Sequence, residues 1–440
     1  MERQDIATLG PVSEIPAELT DQRTYGAQCQ HASWFFLPWH RGYLAAFEAI
    51  VAAKVKELTG KDWALPYWNY FDATNPDALN VPDAFLLETL PDGRPNPLRK
   101  YRRLSGTTRL PDPFPRGFGL DAMAEDDFVV GNVITFGYGG GVSEGFEQYF
   151  SMTGGIEGNP HNPVHRYIGG FMGDPDYAGL DPLFWLHHCN IDRLWEAWMQ
   201  TRGKHMTADP RWLDGPTDRR FLMPLIGGAD PGRNFTGRDT VKGGWLYPRY
   251  DNLTKGTGVT PEVLAMARIG LGAAGRQQIA PIGGNAVSVS ISGAAATTEL
   301  RMDPIDTQRT LRSMSVVTPG ETTSRLYLAL EGVRGKSPSP AIDVYVALRA
   351  GENPADHPEL RAGSLTLFGL NVASDPERGH SGNGLSYMLD ITDLVPDLQE
   401  RGGLETDSIA VTIVPQEGVT QDRPITVDSV RLYRRSGTAE

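Results

Sequence analysis

The sequence predicts a mainly α-helical N-terminal domain with long loops, followed by an all-β sandwich domain. The chain has 440 residues, which exceeds the size of one ordinary domain. All nine tryptophans precede residue 250, so the two parts of the chain differ in composition. Helical periodicity occurs in the first part, whereas short runs typical of β-strands fill the last third.

Two segments of the first domain are predicted to be helices. Residues 37–58 place a proline in the first turn and then repeat apolar residues at helical spacing. Residues 181–199 open with Asp-Pro, which is a helix-start signal, and carry a similar apolar stripe. Residues 70–140 are rich in Pro, Gly and Asp and are predicted to form long surface loops.

The second domain follows a Gly-rich segment without periodicity, residues 268–285, which we predict to be a linker. Beyond it, turn residues separate seven short β-rich runs, a pattern typical of an antiparallel sandwich. The runs are 286–292, 325–333, 341–348, 364–370, 385–391, 408–415 and 425–434. The predicted division is therefore a first domain at 1–267, the linker at 268–285, and the sandwich at 286–440.

Charge and composition exclude several classes of partner. The net charge of −13 argues against nucleic-acid binding, which requires a basic face. No segment offers about 18 uninterrupted apolar residues, so we expect no membrane partner. The first residues lack the regions of a secretory signal, and Cys29 and Cys189 are too few for a disulfide framework. We expect a cytoplasmic location, or export by a route that needs no signal in the chain itself.

The histidines are scarce and unevenly placed. His161 and His165 stand four apart, and on a helix this spacing puts both imidazoles on one face, as two ligands of one metal require. His187 and His188 are adjacent, and neighbours on a helix diverge by about 100°. Only one of these two can therefore share a site with the first pair, while the other lies outside it or in the core.

A further pair, His31 and His40, flanks an aromatic run just before and within the first predicted helix. Sets of imidazoles without an accompanying cysteine or carboxylate pattern suit copper or zinc. A zinc hydrolase would be expected to carry a general base in its motif, such as His-Glu-x-x-His, and none is present. The residues by themselves thus indicate a multi-histidine metal site.

Two long stretches resemble a known family. "HASWFFLPWHRGYLAAFE" and "PHNPVHRYIGG…DPLFWLHHCNIDRLW" resemble, in the right order, the two copper-binding signatures of the tyrosinase family, which comprises tyrosinases, catechol oxidases and related polyphenol oxidases. The resemblance covers roughly residues 25 to 260. The β-rich tail resembles, more loosely, the C-terminal domain of plant-type polyphenol oxidases.

The resemblance implies a four-helix bundle that holds two copper ions through three histidines each. The residues that match ligands are His31 and His40 for the first copper, and His161, His165 and His188 for the second. His187 would support the second site from outside. Cys29 matches the cysteine that fungal members join to the neighbouring histidine by a thioether bond, and a buried free thiol is the alternative.

Residues around the ligands are expected to support the site. Asp192 lies one helical turn after His188 and Arg41 follows His40, so a buried ion pair between Arg41 and Asp192 would tie the two helices together. Arg193 is the rival partner for Asp192.

In the family, residues matching Glu157 and Asn162 hold a water that helps to deprotonate an incoming phenol. The alternative for Glu157 is a solvated loop acid. The resemblance also places Arg166 at the mouth of the cavity, where it would steer polar or acidic phenols.

One ligand of the family pattern is missing. The first copper needs a third histidine from an earlier helix, and residues 1–30 contain none. Either the chain lacks its true N-terminus or the first copper has only two histidines.

The expected function is a copper-dependent oxidation, by O₂, of phenols, o-diphenols or o-aminophenols to o-quinones. Hydroxylation of a monophenol would additionally need the base formed by Glu157 and Asn162. The alternative is a copper-binding pseudo-enzyme in which only the second site fills. Because the C-terminal domain of plant-type relatives shields the active site until it is removed, the same is expected of the β-rich tail here.

Overall fold

The computed structural model describes residues 28–99, 107–112, 114, 118–132, 134–146, 149, 151–224, 232–261, 278–285, 287–303, 324–378, 382–402, 407–416 and 418–436. Residues 1–27, where an earlier helix of the first metal site would lie, are outside this set. Within the described part of the chain, none of the helices combines the length and apolar composition of a membrane span.

Two long helices and several short ones organise the described residues. In chain order the helices are α1 (Phe36–Thr59), α2 (Asn162–Ile168), α3 (Pro182–Met199), α4 (Pro210–Leu213), α5 (Gly237–Thr240), α6 (Leu370–Ala373) and α7 (Val395–Glu400). An irregular helical turn, Glu157–His161, leads directly into α2. The helices α1 and α3 confirm both helices predicted from periodicity.

Local chemistry fixes the ends of these helices. Asp181 accepts a hydrogen bond from the backbone N–H of Leu183 at 2.9 Å and so caps the start of α3. At the end of α1, Gly60 adopts a left-handed conformation with φ of 71° and donates its N–H to the carbonyl of Lys56.

A buried ion pair joins α1 to α3. Arg41 donates from Nε to Oδ1 of Asp192 at 2.6 Å, and both side chains are buried. Arg41 also donates to the carbonyl of Thr240. Arg193 instead donates to Asn190 on its own helix. The predicted pairing of Arg41 with Asp192 is confirmed, and the two helices that carry His40 and His188 are held in fixed register.

The strands form one small and one large antiparallel sheet. They are β1 (Phe221–Met223), β2 (Arg233–Phe235), β3 (Gln278–Gly284), β4 (Val289–Ile291), β5 (Ala296–Met302), β6 (Arg325–Gly335), β7 (Ala341–Val346), β8 (Arg361–Thr366), β9 (Leu385–Asp390), β10 (Ser408–Pro415) and β11 (Ile425–Ser436). β1 pairs with β2, while the other nine strands share one sheet in the order β8-β7-β10-β5-β3-β11-β6-β9, with β4 beside β11.

This arrangement corrects the predicted two-sheet sandwich. The described strands from residue 278 onward form a single sheet, and β8 and β9 stand at the two ends of its strand order. A Cβ placed on Gly363 of β8 would nevertheless lie only 3.0 Å from Leu389 of β9, so the sheet curls until its ends meet. Strand alternation in a sequence reveals that one face is buried, but it does not show whether that face meets a second sheet or the same sheet curled into a barrel.

The prediction of a linker at residues 268–285 is wrong for its last part and untested for the rest. Residues 262–277 lie outside the described set, but Gln278–Gly284 form the strand β3 and not a linker. Pro281 and two glycines made this stretch look irregular. It is held as a strand by pairing with β11, whose register shifts between Leu432 and Tyr433, next to the partner of Pro281.

Candidate metal centre

Three imidazoles converge in one buried cluster. His161 lies in the irregular turn before α2, His165 lies on α2 and His188 lies on α3. Nε2 of His188 is 3.2 Å from Nε2 of His161 and 3.1 Å from Nε2 of His165. Nitrogens about 2.0 Å from one metal at tetrahedral angles are about 3.3 Å apart. The three donors are therefore spaced to hold a single metal ion.

Hydrogen bonds at the far side of two rings select the donor atom. Nδ1 of His161 lies 2.8 Å from Oδ1 of Asn162, and Nδ1 of His165 lies 2.6 Å from the carbonyl of Met172. Because those oxygens accept a hydrogen bond from Nδ1–H, the lone pair of each ring lies on Nε2, toward the cluster.

The adjacent pair diverges as the helical geometry requires. His187 stacks beside His161 with ring centroids 5.4 Å apart, and its Nδ1 lies 3.3 Å from the hydroxyl of Tyr70. All four donors lie within 4.8 Å of one another, but only His188 approaches both His161 and His165 to hydrogen-bonding distance. Nε2 of His187 is buried without a hydrogen-bond partner among the described residues.

A second cluster lies against the first. Sγ of Cys29 is 3.3 Å from Nε2 of His31 and 3.8 Å from Nε2 of His40. The rings of His40 and His188 stack with centroids 4.4 Å apart, and those of His31 and His161 lie 5.9 Å apart. The donor sets are therefore adjacent, as two neighbouring metal ions require, and their imidazole-rich chemistry fits copper.

Glu157 is buried and bonded to the cluster of Cys29, His31 and His40. Its Oε1 lies 3.0 Å from Nδ1 of His31, and both of its oxygens accept from the backbone N–H of Ala32 at 2.9 and 3.0 Å. Because the residue is only 3% exposed, the alternative of a solvated loop acid is wrong. The carboxylate orients the ring of His31 so that Nε2 faces Cys29 and His40.

The other two residues matched to the substrate side lie on or beside α2. Asn162 is buried; its Oδ1 faces His161, and its Nδ2 donates to the carbonyl of Thr366 at 3.3 Å. Arg166 is half-buried, with its guanidinium 5.4 Å from the ring centre of Tyr167.

The buried environment sets the charge of the imidazoles. Burial lowers the pKa of His40, His161 and His188 well below 6.5, and it lowers the pKa of His165 to about 3. These rings are neutral near pH 7, as metal ligation requires. For His31, burial acts in the same direction, but Cys29 and Glu157 outweigh it and raise its pKa to about 10.

One residue at the site was not indicated by any sequence pattern. Phe368, in the loop after β8, stacks on His165 with ring centroids 4.4 Å apart and planes 21° apart. Its centroid lies 5.7 Å from that of His31 and 5.8 Å from that of His161, and only 3% of the residue is exposed. A run predicted as strand through residue 370 ends at Thr366, so Phe368 leaves the sheet and covers both clusters.

Two family models match the chain. One, described as "Common central domain of tyrosinase", matches residues 8–201. The other, described as "Domain of unknown function (DUF7868)", matches residues 278–435, a span that begins at β3 and ends in β11.

Known proteins resemble the chain over different lengths. "Tyrosinase HcTyr1" of Hahella sp. (strain CCB-MM4) is 33% identical over 431 residues, which cover 95% of this chain and 86% of that protein. "Polyphenol oxidase II, chloroplastic" of Ipomoea batatas is 30% identical over 211 residues, which cover 42% of this chain and 34% of that protein.

Solved structures share the fold. A latent aurone synthase (polyphenol oxidase) matches with a TM-score of 0.59 at 20% identity and covers 93% of this chain and 77% of its own. Latent apple tyrosinase matches with a TM-score of 0.56 at 22% identity and covers 92% of this chain and 84% of its own.

Proposed function

The chain belongs to the tyrosinase family of copper-dependent oxidoreductases that oxidise phenols, and we propose that it converts o-diphenols to o-quinones at the two adjacent clusters. The observation that supports this is the approach of Nε2 of His161 and His165 to Nε2 of His188, at 3.2 and 3.1 Å, directly beside His31 and His40. The proposed ligands are His31 and His40 at the first copper, with Cys29 beside them, and His161, His165 and His188 at the second.

The reaction class follows from the metal. Bound copper would accept electrons from the phenol and deliver them to O₂. Each o-diphenol loses two electrons and two protons to become an o-quinone, so two turnovers reduce one O₂ to two waters. The protein contributes neutral, oriented imidazoles and a dry aromatic wall, in which Phe184 stacks on His188 with centroids 3.9 Å apart.

The helical part is proposed to be the four-helix bundle of the family. In the described residues, α1 carries His40, α2 carries His165 and α3 carries His188. We place the catalytic domain before residue 262 and the C-terminal domain from residue 278, with the connection between them.

Monophenol hydroxylation is proposed to be a secondary activity that depends on Glu157 and Asn162. Glu157 already accepts hydrogen bonds from His31 and Ala32, and Asn162 donates to Thr366 of the C-terminal domain. One N–H of the Asn162 amide is therefore taken up by the C-terminal domain, and movement of that domain would free it for a water or a phenol. Arg166, half-buried beside the site, is proposed to orient polar substituents of the phenol.

We propose that the C-terminal domain keeps the site closed. Phe368 lies where an aromatic substrate would stack on His165, so a phenol and this ring compete for one place. Removing or displacing the domain is expected to expose both clusters. Cleavage within residues 262–277 is therefore expected to raise the rate with catechols.

The test is quinone formation from 4-methylcatechol by copper-loaded protein, before and after limited proteolysis. Slow turnover of the intact chain and faster turnover after cleavage are expected, with p-cresol oxidised more slowly than the catechol. His188→Ala, cleaved in the same way, is the matched inactive control. If the cleaved, copper-loaded wild type makes no quinone, the protein is a copper-binding pseudo-enzyme and the proposal is wrong.

A further inference from the structure

We propose that the hydroxyl of Tyr149 binds the polar end of the para substituent of the phenol, which makes Tyr149 a specificity-determining residue. This inference rests on the proposed function, because it takes the ring of Phe368 to occupy the place of the substrate ring. The substrate class that it selects is a catechol whose para substituent carries a hydrogen-bonding group about four atoms from the ring.

Tyr149 forms one wall of the metal centre. Its ring lies parallel to that of His31, with planes 11° apart and centroids 5.6 Å apart, and the residue is only 2% exposed. Its backbone N–H donates to the carbonyl of His31 at 3.0 Å. Tyr149 is therefore held in a fixed place beside the cluster of Cys29, His31 and His40.

The backbone of Tyr149 is strained at this place. Its φ of 55° lies in the left-handed region, which bulky side chains rarely adopt. Strained residues of this kind persist only where the surrounding structure fixes them, and they cluster at functional sites. The strain coincides here with the contact between Tyr149 and His31, which points to a role for this ring at the metal centre.

The hydroxyl of Tyr149 reaches the loop that carries Phe368. A Cβ placed on Gly369 would lie 2.6 Å from this oxygen, so a side chain at this position would collide with Tyr149. Since a bond from Cα is about 1.5 Å long, the oxygen lies within about 4 Å of the Cα of Gly369. The hydroxyl therefore lies next to the main chain that follows Phe368.

The main chain of this loop marks the path of a substituent. Where the ring of Phe368 stands for the phenol ring on His165, its Cβ stands for the first atom of the para substituent. A fourth atom then stands at the amide nitrogen of Gly369, next to the Tyr149 hydroxyl. A second atom stands at the Cα of Phe368, about 3.8 Å from that of Gly369. Long polar substituents should therefore reach Tyr149 better than short ones.

The chemistry of Tyr149 suits an uncharged hydrogen bond. Burial raises the pKa of Tyr149 well above 10, and nearby negative charge adds to this effect, so the phenol stays protonated. A protonated hydroxyl both donates and accepts, and can pair with an alcohol, an amide or an amine. An alkyl chain of the same shape offers no partner, so Tyr149 should favour the polar substituent.

The experiment uses pairs of catechols that differ by a hydroxyl in place of a terminal methyl group. The long pair is 4-(3-hydroxypropyl)catechol and 4-butylcatechol, and the short pair is 4-(hydroxymethyl)catechol and 4-ethylcatechol. Values of kcat and KM are measured with full-length, copper-loaded wild type, Tyr149→Phe and the control Tyr138→Phe, whose hydroxyl donates to Sδ of Met123 at 3.9 Å. Both members of a pair need the same opening of the site, so their ratio does not depend on it.

Binding is measured separately from activity. The dissociation constants of 4-(3-hydroxypropyl)benzoate and 4-butylbenzoate are determined by calorimetry on the same proteins, because a benzoate has no phenolic hydroxyl and forms no quinone. Copper per chain and thermal unfolding show whether the variants keep metal and fold alike. If no protein forms quinone, the proposed function is wrong and benzoate binding still decides the role of Tyr149.

We expect Tyr149→Phe to lose about 2- to 10-fold in kcat/KM for the hydroxyl member of the long pair, relative to the alkyl member, as the loss of one hydrogen bond predicts. The change should fall on KM, since a remote group binds equally in the ground state and the transition state. The long benzoates should shift alike, whereas the short pair and Tyr138→Phe should show no change.

A long-pair ratio that is the same in the wild type and in Tyr149→Phe, for catechols or for benzoates, would overturn the proposal, because Tyr149 would then only pack against His31. A wild type that binds neither long benzoate would overturn it as well. Should Tyr149→Phe fail to fold, the wild type alone decides: its preference for the hydroxyl member must be greater in the long pair than in the short one.

Discussion

Replacing Phe368 with alanine should activate the intact protein. The ring covers His165 and is only 3% exposed, and it belongs to the domain that carries the β-barrel-like sheet. Alanine removes the ring that occupies the substrate position and leaves a space of about the size of a phenol. It also removes packing between the β-rich part of the chain and the helix that carries His165.

The size of the effect follows from the buried ring. Truncating a buried phenylalanine to alanine costs about 3–5 kcal/mol, and part of this cost falls on the domain contact because one face of the ring packs on His165. If about 2–3 kcal/mol is lost from domain docking, the open population rises between about 30-fold and 150-fold. The initial rate with subsaturating catechol should rise by up to that factor until most molecules are open.

The assay is the initial rate of quinone formation from 4-methylcatechol by intact, copper-loaded protein. Leu367→Ala is the matched control, because Leu367 is fully buried within the core of the sheet and its loss leaves the ring on His165. Phe368→Ala should be much faster than both the wild type and Leu367→Ala. Equal rates for Phe368→Ala and the wild type, in a protein that proteolysis does activate, would refute the role given to this ring.

Three other outcomes follow from the same contacts. His188→Ala should lose second-site copper and catechol oxidation, while His187→Ala should only weaken copper retention; the reverse order, by metal analysis, would mean that ligand and supporter are exchanged. Arg41→Ala, which removes a buried ion pair, should lower the free energy of unfolding by about 3 kcal/mol or more in urea titrations. Arg211→Ala, which removes an exposed ion pair, should lower it by less than about 1 kcal/mol. Because the folded-state pKa of His165 lies below its unfolded value, the contribution of this residue to the stability of metal-free protein is complete above about pH 6.5 and falls by about 1.4 kcal/mol per pH unit below it; a pH-independent urea midpoint between pH 7 and 5 would contradict this.

Helical periodicity and histidine spacing predicted much of the metal site. His161 and His165 were predicted to share a face because i, i+4 spacing is a local property, and α2 and the turn before it place both toward His188. The bond between Glu157 and His31 joins residues 126 positions apart, and no local pattern records it. Phe368 likewise reaches the site from the β-rich part of the chain, through a loop whose direction depends on how the sheet curls.

In the β-rich part of the chain, too, local patterns predicted the strands but not their long-range pairing. Most strands after residue 325 were predicted as short β-rich runs separated by turn residues. Strand β3 was taken for linker because Pro281 and its glycines suppress the local signal, whereas pairing with β11 supplies the missing hydrogen bonds. Pairing partners and sheet closure are long-range properties, so a single curled sheet could not be told from a sandwich.

The central claim is that the paired clusters hold copper and that this copper oxidises catechols. The most direct measurement removes copper from proteolysed protein with a chelator, restores it in steps, and records copper per chain and the rate with 4-methylcatechol in the same samples. The account predicts no quinone formation without copper and a rate that rises steeply only as the second ion per chain is bound. A rate that is unchanged by copper removal, or that reaches its maximum with one ion per chain, would contradict it.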